Sequence, residues 1–436
     1  MESRQNWSSQ FAFILAAIGS AVGLGNIWRF PYVMGQNGGA VFLLAYFFFV
    51  FFICAMPLLG ELLFGKISQK NVVGAFNFIN PKLKIFGWLN VFTSVFIAAF
   101  YFVVGGWIIY YLYESFFVKS IDNFGAVFSN MIASPVLSVS LTLTFLIACM
   151  FFVYRGVNKG IEIANKIMIP AFALILIVLT IISVQLPNAE IGLKFIFLPD
   201  FSKVSFSMLL MALGQALFTL SIGMGALLTY GSYLKKEDSI LKSAYSIIIA
   251  DVIFAILAGV MIFPAVFSFG LQPDAGAGLV FITLPKVFAQ MPCGELLSLG
   301  FFFLLLFAAL TSGISIVEVT VAAFIENFKL TRKKAALLVL ALVGVLSVPV
   351  SLSFGVLKNL TFFGGHNLFD IFDFAASNIC LPFNTLIICI VAGWLLKIYH
   401  VRIFKQKFMN RLFIIMSRYI LPVVFLVLLI TGLIGK

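Results

Sequence analysis

The sequence predicts an all-α polytopic membrane protein of eleven transmembrane helices, arranged as a 5+5 inverted repeat with broken helices 1 and 6. Three observations predict it. The 436 residues are 62% hydrophobic and only 10% charged, with a mean hydropathy of +1.14, which excludes a soluble domain of this length. Apolar runs near 20 residues recur along the whole chain. Two of them, the first and the sixth, are interrupted by glycines at their centres, and paired Gly-interrupted segments at corresponding positions of two halves point to a midplane site between repeats.

The first segment, 11–33, opens as a spanning helix in "FAFILAAI" and then meets "GSAVGLGNIWRFPY", where four of fourteen residues are Gly or Pro. Gly is the poorest ordinary helix former, and an unsatisfied backbone group in hydrocarbon costs several kcal/mol. Segments two to five follow at 40–64, 86–116, 136–154 and 166–185. The sixth, 204–232, carries "TLSIGMGA" at its centre, Thr219 to Ala226. The remaining segments are 241–270, 293–326, 335–351, 367–397 and 411–434. The first repeat runs over about 11–185 and the second over about 204–397, with 411–434 an added helix, all within one transmembrane domain, 1–436. The breaks have a chemical use: unwinding frees carbonyls and amides, so that half-helix ends attract a cation and a carboxylate respectively.

The net charge of +12 is a topological signal. With the N-terminus inside, 21 of the 28 Lys and Arg fall on the cytoplasmic side, which is the positive-inside pattern and not a nucleic-acid footprint. This predicts an N-terminus inside, a C-terminus outside, and a lipid bilayer as the environment. Residues 1–10 lack a signal-peptide pattern. Five cysteines without metal spacing read as small buried thiols, and two isolated histidines, His366 and His400, do not make a zinc site. No nucleic-acid partner is expected, and the sequence leaves oligomeric state open.

The stretch 7–66, "WSSQFAFILAAIGSAVGLGNIWRFPYVMGQNGGAVFLLAYFFFVFFICAMPLLGELLFGK", closely resembles the opening of the neurotransmitter:sodium symporter family. Further similar stretches are "GVNKGIEIANKIMIP" (156–170), "FTLSIGMGALLTYGSY" (218–233), "FAALTSGISIVEV" (307–319) and "FDIFDFAASN" (369–378). Eleven segments are similar to the family's shorter prokaryotic members, and imply the cytoplasmic (inner) membrane of a prokaryote.

The resemblance implies two sodium sites. The first uses Ala21, Asn26 and Thr219 with the substrate carboxylate. The family's Asn on segment 7 falls on Ala250 here, with Asp251 adjacent, and a carboxylate in an apolar run is presumptively functional, so Asp251 is taken as the fourth residue. The second site uses Gly19, Val22, Ala308, Thr311 and Ser312, although the two hydroxyls also suit back-bonding within their own helix. The substrate pocket implied is Ala21, Gly23, Leu24, Gly25, Ile97, Tyr101, Phe218, Thr219, Ser221, Met224, Ser312 and Ile316. Gly23 stands where the family's amine transporters carry an aspartate, which favours a substrate that brings its own carboxylate. Two gates are implied: Arg29 with Asp373, near Asp370, and Arg4 with Trp7 latching onto Glu326 near Ser232 and Tyr233. Tyr46, Gln215 and Thr219 match the residues that cradle chloride in chloride-dependent members, yet a fixed Asp251 carboxylate predicts no chloride requirement.

The function expected is a sodium-coupled symporter importing an amino acid, large and apolar or aromatic, by alternating access. It is not expected to be an enzyme: no H-E-x-x-H, G-x-S-x-G or intramembrane aspartate pair is present. A channel would show a repeated filter or a pore-lining charge ring, and neither is found. A non-transporting amino-acid sensor of the same fold is the alternative.

Overall fold

The structure is a computed structural model, and describes residues 5–272, 276–396 and 407–434. Arg4 and His400 lie outside the described residues. All regular structure among the described residues is helical. Helix α1 (Gln10–Ala21) and α2 (Gly25–Gln36) form one span bent by 44°. Then come α3 (Ala40–Ser68), α4 (Pro81–Ser120), α5 (Pro135–Tyr154) and α6 (Val157–Val184). Helices α7 (Phe206–Thr219) and α8 (Ala226–Gly231) flank the second break. The chain continues through α9 (Ile240–Ser268), α10 (Gly294–Phe328), α11 (Arg332–Leu352), α12 (Leu368–Leu395) and α13 (Asn410–Ile434).

Among the described residues nine helices are long and apolar enough to cross a membrane, and ten spans result when the bent α1–α2 pair is joined. The expected count of eleven differs at segment six. There the structure has helices of 14 and 6 residues, and neither reaches the roughly 20 residues that hydrocarbon requires. Segment five also differs, starting at Val157 and not near 166. Gly156 (φ 92°) turns the chain, and a π-helical turn over Val157–Glu162 adds a tier to the helix.

Local chemistry explains both breaks. Ser9 caps α1 by accepting from Ala12 N at 3.2 Å, and the helix stops where Val22 turns extended (φ −85°, ψ 92°). Between α7 and α8, Ser221, Gly223 and Gly225 take φ of 55°, 85° and 78°, a region that costs a residue with a Cβ about 1–2 kcal/mol. Gly223 is held from two sides. Its N–H donates to Glu61 of α3 at 2.7 Å, and its carbonyl accepts from Asn384 Nδ2 of α12 at 2.7 Å. The freed backbone groups are thus satisfied by side chains of scaffold helices, which is what lets an unwound segment sit at membrane depth.

The tightest packing centres on α10, which lies against α4, α6, α5 and α1. Outer helices present Phe151, Ile177, Leu342 and Val423 outward, as lipid-facing surfaces require.

Candidate functional site

The two breaks face each other and α10. In the last turn of α1, the Ser20 carbonyl accepts from Ser221 Oγ at 2.7 Å, and the Gly19 carbonyl accepts from Ser312 Oγ at 3.1 Å. Hydroxyls from α10 and from the second break therefore reach groups the helix no longer uses. Gly23 lets Ser312 approach here: a Cβ would run into Ser312 Oγ and lie 3.5 Å from the Tyr101 hydroxyl. That hydroxyl is buried without a hydrogen-bond partner.

Around this junction a cavity of about 20 Å³ is lined by Ser20 together with all twelve residues expected for the substrate pocket, from Ala21 to Ile316. Ser20 was not anticipated. No lining side chain is charged. A cavity of this size holds about one water, so its walls must part to admit anything larger. Tyr101 is a lining residue; Tyr110 and Tyr111, nine and ten residues on, are not.

Beside the pocket a polar cluster joins α2, α3, α7 and α9. Asp251 Oδ1 accepts from Asn26 Nδ2 at 2.8 Å, and Oδ2 accepts from the Tyr46 hydroxyl at 2.5 Å. The same hydroxyl lies 3.1 Å from Thr219 Oγ1. Asp251, not Ala250, faces Asn26: Asp251 is fully buried while Ala250 is partly exposed. Asn26 Oδ1 is buried with no partner, and no Lys or Arg forms an ion pair with Asp251 among the described residues. An unpaired amide oxygen, a carboxylate and a threonine hydroxyl form a hard-oxygen set that fits a hard cation.

On the other face of α1, Thr311 Oγ1 donates to the Phe307 and Ala308 carbonyls at 3.0 and 3.1 Å, so the back-bonding reading of this hydroxyl holds. Its lone pairs stay available, and Thr311 Cβ lies at the surface of Gly19. The same surface touches Asn165 Oδ1 of α6, another buried oxygen without a partner. Asn165 was missed in sequence; the available signal was an amide inside the apolar run 163–184.

At one end of the molecule, Arg29, Asp370 and Asp373 line a larger cavity of about 280 Å³, floored by Tyr101 and Phe218. The expected Arg29–Asp373 ion pair is not closed. Arg29 donates to Gln215 Oε1 at 2.9 Å and sits 4.8 Å over the Phe218 ring, while Asp373 accepts from Ser377 at 2.9 Å. Gln215 also donates to the Gly25 carbonyl at 2.9 Å, so this one side chain of α7 braces α2 at both Gly25 and Arg29.

The opposite end is sealed. Trp7 is buried, its indole N–H donating to the Tyr230 carbonyl at 3.0 Å and its main-chain N–H to Tyr233 at 3.2 Å. Ser8 is held by Glu162. The structure puts Glu326 against Asn71, the cap of a short helix, at 2.6 Å. Tyr233 donates to Glu318 at 2.8 Å, and Glu318 accepts two bonds from Arg332 at 2.8 Å each. This buried pair was also missed; a glutamate inside "SIVEVTV" was its signal.

A helical membrane protein with two broken spans around a small uncharged pocket, flanked by hard-oxygen clusters, has the architecture of a secondary transporter. The profile of the sodium:neurotransmitter symporter family matches residues 4–122 and 123–435, and the chain belongs to that family. It is 41% identical over 388 residues to an uncharacterized sodium-dependent transporter of Bacillus subtilis (strain 168), covering 88% of this chain and 86% of that one. It is 27% identical over 449 residues to the sodium- and chloride-dependent taurine transporter of Homo sapiens, covering 90% and 71%. Its fold matches the crystal structure of MhsT in complex with L-phenylalanine with a TM-score of 0.91 and 42% identity, over 99% of this chain and 100% of that one. The chain is accordingly a sodium-dependent symporter and not an enzyme.

Proposed function

We propose that this symporter imports a large apolar or aromatic amino acid, coupled to two sodium ions. The observation that carries the reading is the pocket at the breaks, whose lining has no charged side chain: a lysine or glutamate substrate would leave its side-chain charge unpaired there. Met224 gives a compliant wall suited to rings, and the similar MhsT has been crystallised with L-phenylalanine. The substrate carboxylate meets Tyr101 and the Leu24–Gly25 backbone; its ammonium meets carbonyls of Ala21, Phe218 and Thr219 and the Ser221 hydroxyl. The first sodium is held by Ala21, Asn26, Thr219 and Asp251, the second by Gly19, Val22, Ala308, Thr311 and Ser312. Positive charge distribution orients the sealed Trp7 end to the cytoplasm and the Arg29–Asp373 chamber outward.

Uptake by proteoliposomes, screened over the twenty amino acids with sodium or potassium as the driving cation, tests the reading. Sodium-driven uptake of phenylalanine, tryptophan, tyrosine or leucine is expected. Preference for a charged amino acid would overturn the pocket, and binding without counterflow would favour the sensor alternative.

A further inference from the structure

Arg418 lies eight residues inside the span Asn410–Ile434, about 12 Å from its start at 1.5 Å per residue. An arginine in an apolar span normally pairs with a carboxylate or with backbone carbonyls, and a carboxylate would satisfy the whole guanidinium fork. None is available from its own helices: residues 374–436 contain no Asp or Glu. The other helix packed on this part of the chain is α3. Its single acid, Glu61, is buried and engaged by Gly223, and Gly60 is the residue that faces α12 at Ala392.

Arg418 is instead partly accommodated by a crossing of two π-helical turns, Val391–Leu395 and Met416–Ile420. Gly393 permits this contact, since a Cβ there would lie 2.7 Å from Arg418 N. The guanidinium stacks 4.4 Å over Trp394 and 5.9 Å from the Tyr419 ring, and Nε donates to the Gly393 carbonyl at 3.2 Å. The two terminal nitrogens donate to nothing among the described residues. Trp394 and Tyr419 are 48% and 56% exposed, and such rings are the residues favoured where lipid headgroups meet the acyl region, a level that a long arginine side chain reaches by snorkelling toward the interface. Lys407 and Arg411, both exposed, continue a stripe of positive charge along the same helix face at spacings of four and seven residues.

We propose that this crossing is a binding site for the phosphate of an anionic phospholipid. The fork of Arg418 grips the phosphodiester, Trp394 and Tyr419 pack against the glycerol and upper acyl region, and Lys407 and Arg411 favour a headgroup with net negative charge. A zwitterionic lipid offers the same phosphate but leaves the stripe unneutralised.

Native mass spectrometry of the full chain tests this, after delipidation and back-titration with dioleoyl phosphatidylglycerol or dioleoyl phosphatidylcholine. Wild type is expected to retain phosphatidylglycerol about fivefold better, and Arg418→Gln to bring the ratio near one. Arg418→Lys, which keeps the charge but not the fork, falls between. Sodium-driven uptake confirms that each variant is folded. Should Arg418→Gln not be recovered, the Lys407→Gln/Arg411→Gln pair is read instead and should lower the same ratio. Equal retention of both lipids by wild type, or undiminished preference in Arg418→Gln, overturns the proposal. So does a lipid-free dimer mass that Arg418→Gln abolishes, which would make this face a contact between copies.

Discussion

At the residue scale, Asp251 and Thr311 each carry one sodium hypothesis. Thr311→Ala removes an oxygen that already donates to Phe307 and Ala308 yet keeps lone pairs toward Gly19. If it is a ligand, half-maximal uptake should need about tenfold more sodium, equivalent to about 1.4 kcal/mol, and Thr311→Ser should restore it. Unchanged sodium dependence would reduce Thr311 to a back-bonded helix residue. Asp251 bears on chloride. The Tyr46 hydroxyl joins it to Thr219, whose own hydroxyl donates to the Gln215 carbonyl one turn back, and a relative that uses chloride, the taurine transporter, is similar over 90% of this chain. We propose that the fixed carboxylate supplies the negative charge that an exchangeable anion would bring. Wild-type uptake is therefore expected to be equal in chloride and gluconate, with Asp251→Asn and Asp251→Ser inactive in gluconate and partly restored by chloride. A chloride requirement in wild type, or no rescue in either variant, would refute charge substitution.

At the scale of elements, the second break is the feature most open to manipulation. Gly223→Ala places a Cβ against the Leu381 carbonyl and Thr385 Oγ1 in a left-handed conformation, and should cost about 1–2 kcal/mol, read as a lower melting temperature with weaker amino-acid binding. Equal melting and equal affinity would mean that the segment 220–225 relaxes freely. Glycine interruptions made both breaks legible in sequence, and the apolar runs located the spans because hydrocarbon sets their length. The break at 220–225 was visible as glycine spacing, but its clamps were not: Glu61 and Asn384 lie 162 and 161 residues away, and no local pattern links them. Asn165 and the Glu318–Arg332 pair each left a signal, a lone polar residue in an apolar run, but hydropathy does not say what such a residue meets, even when Arg332 is only 14 residues from Glu318. The extension of α6 to Val157 was hidden because "VNKGIE" is polar and its π-helical turn has no hydropathy signature. Segment seven illustrates a different limit. Sequence left Ala250 and Asp251 one position apart, a rotation of about 100° on a helix, and only the packing of α9 against α2 turns Asp251 toward Asn26.

At the scale of the whole molecule, the two ends are unequal. Trp7 stoppers one end through Tyr230 and Tyr233, with ring centroids 5.2 and 6.2 Å away, beneath the buried Glu318–Arg332 pair. Trp7→Ala removes the stopper and should shift the population toward the state open at that end. A Ser232→Cys thiol, buried in the parent, should then react with a membrane-impermeant maleimide from the cytoplasmic side several-fold faster, and sodium should slow that reaction by favouring the closed arrangement. Labelling that Trp7→Ala leaves unchanged would show that the Glu318 network alone keeps this end shut. At the other end, the unpaired Arg29 and Asp373 leave a chamber more than ten times the volume of the pocket beneath it.

That inequality separates two kinetic jobs. On the proposed function the roomy chamber would work as an antechamber, its charges governing how often a zwitterion arrives and the tight room below governing how long it stays. Asp373→Asn should therefore change the association rate and its dependence on ionic strength, and leave the dissociation rate of an occluded amino acid almost untouched. Substitutions of Ile97 or Met224 should do the reverse. Stopped-flow binding with varied salt separates the two, and a transporter of this build would have its speed and its selectivity set on different floors.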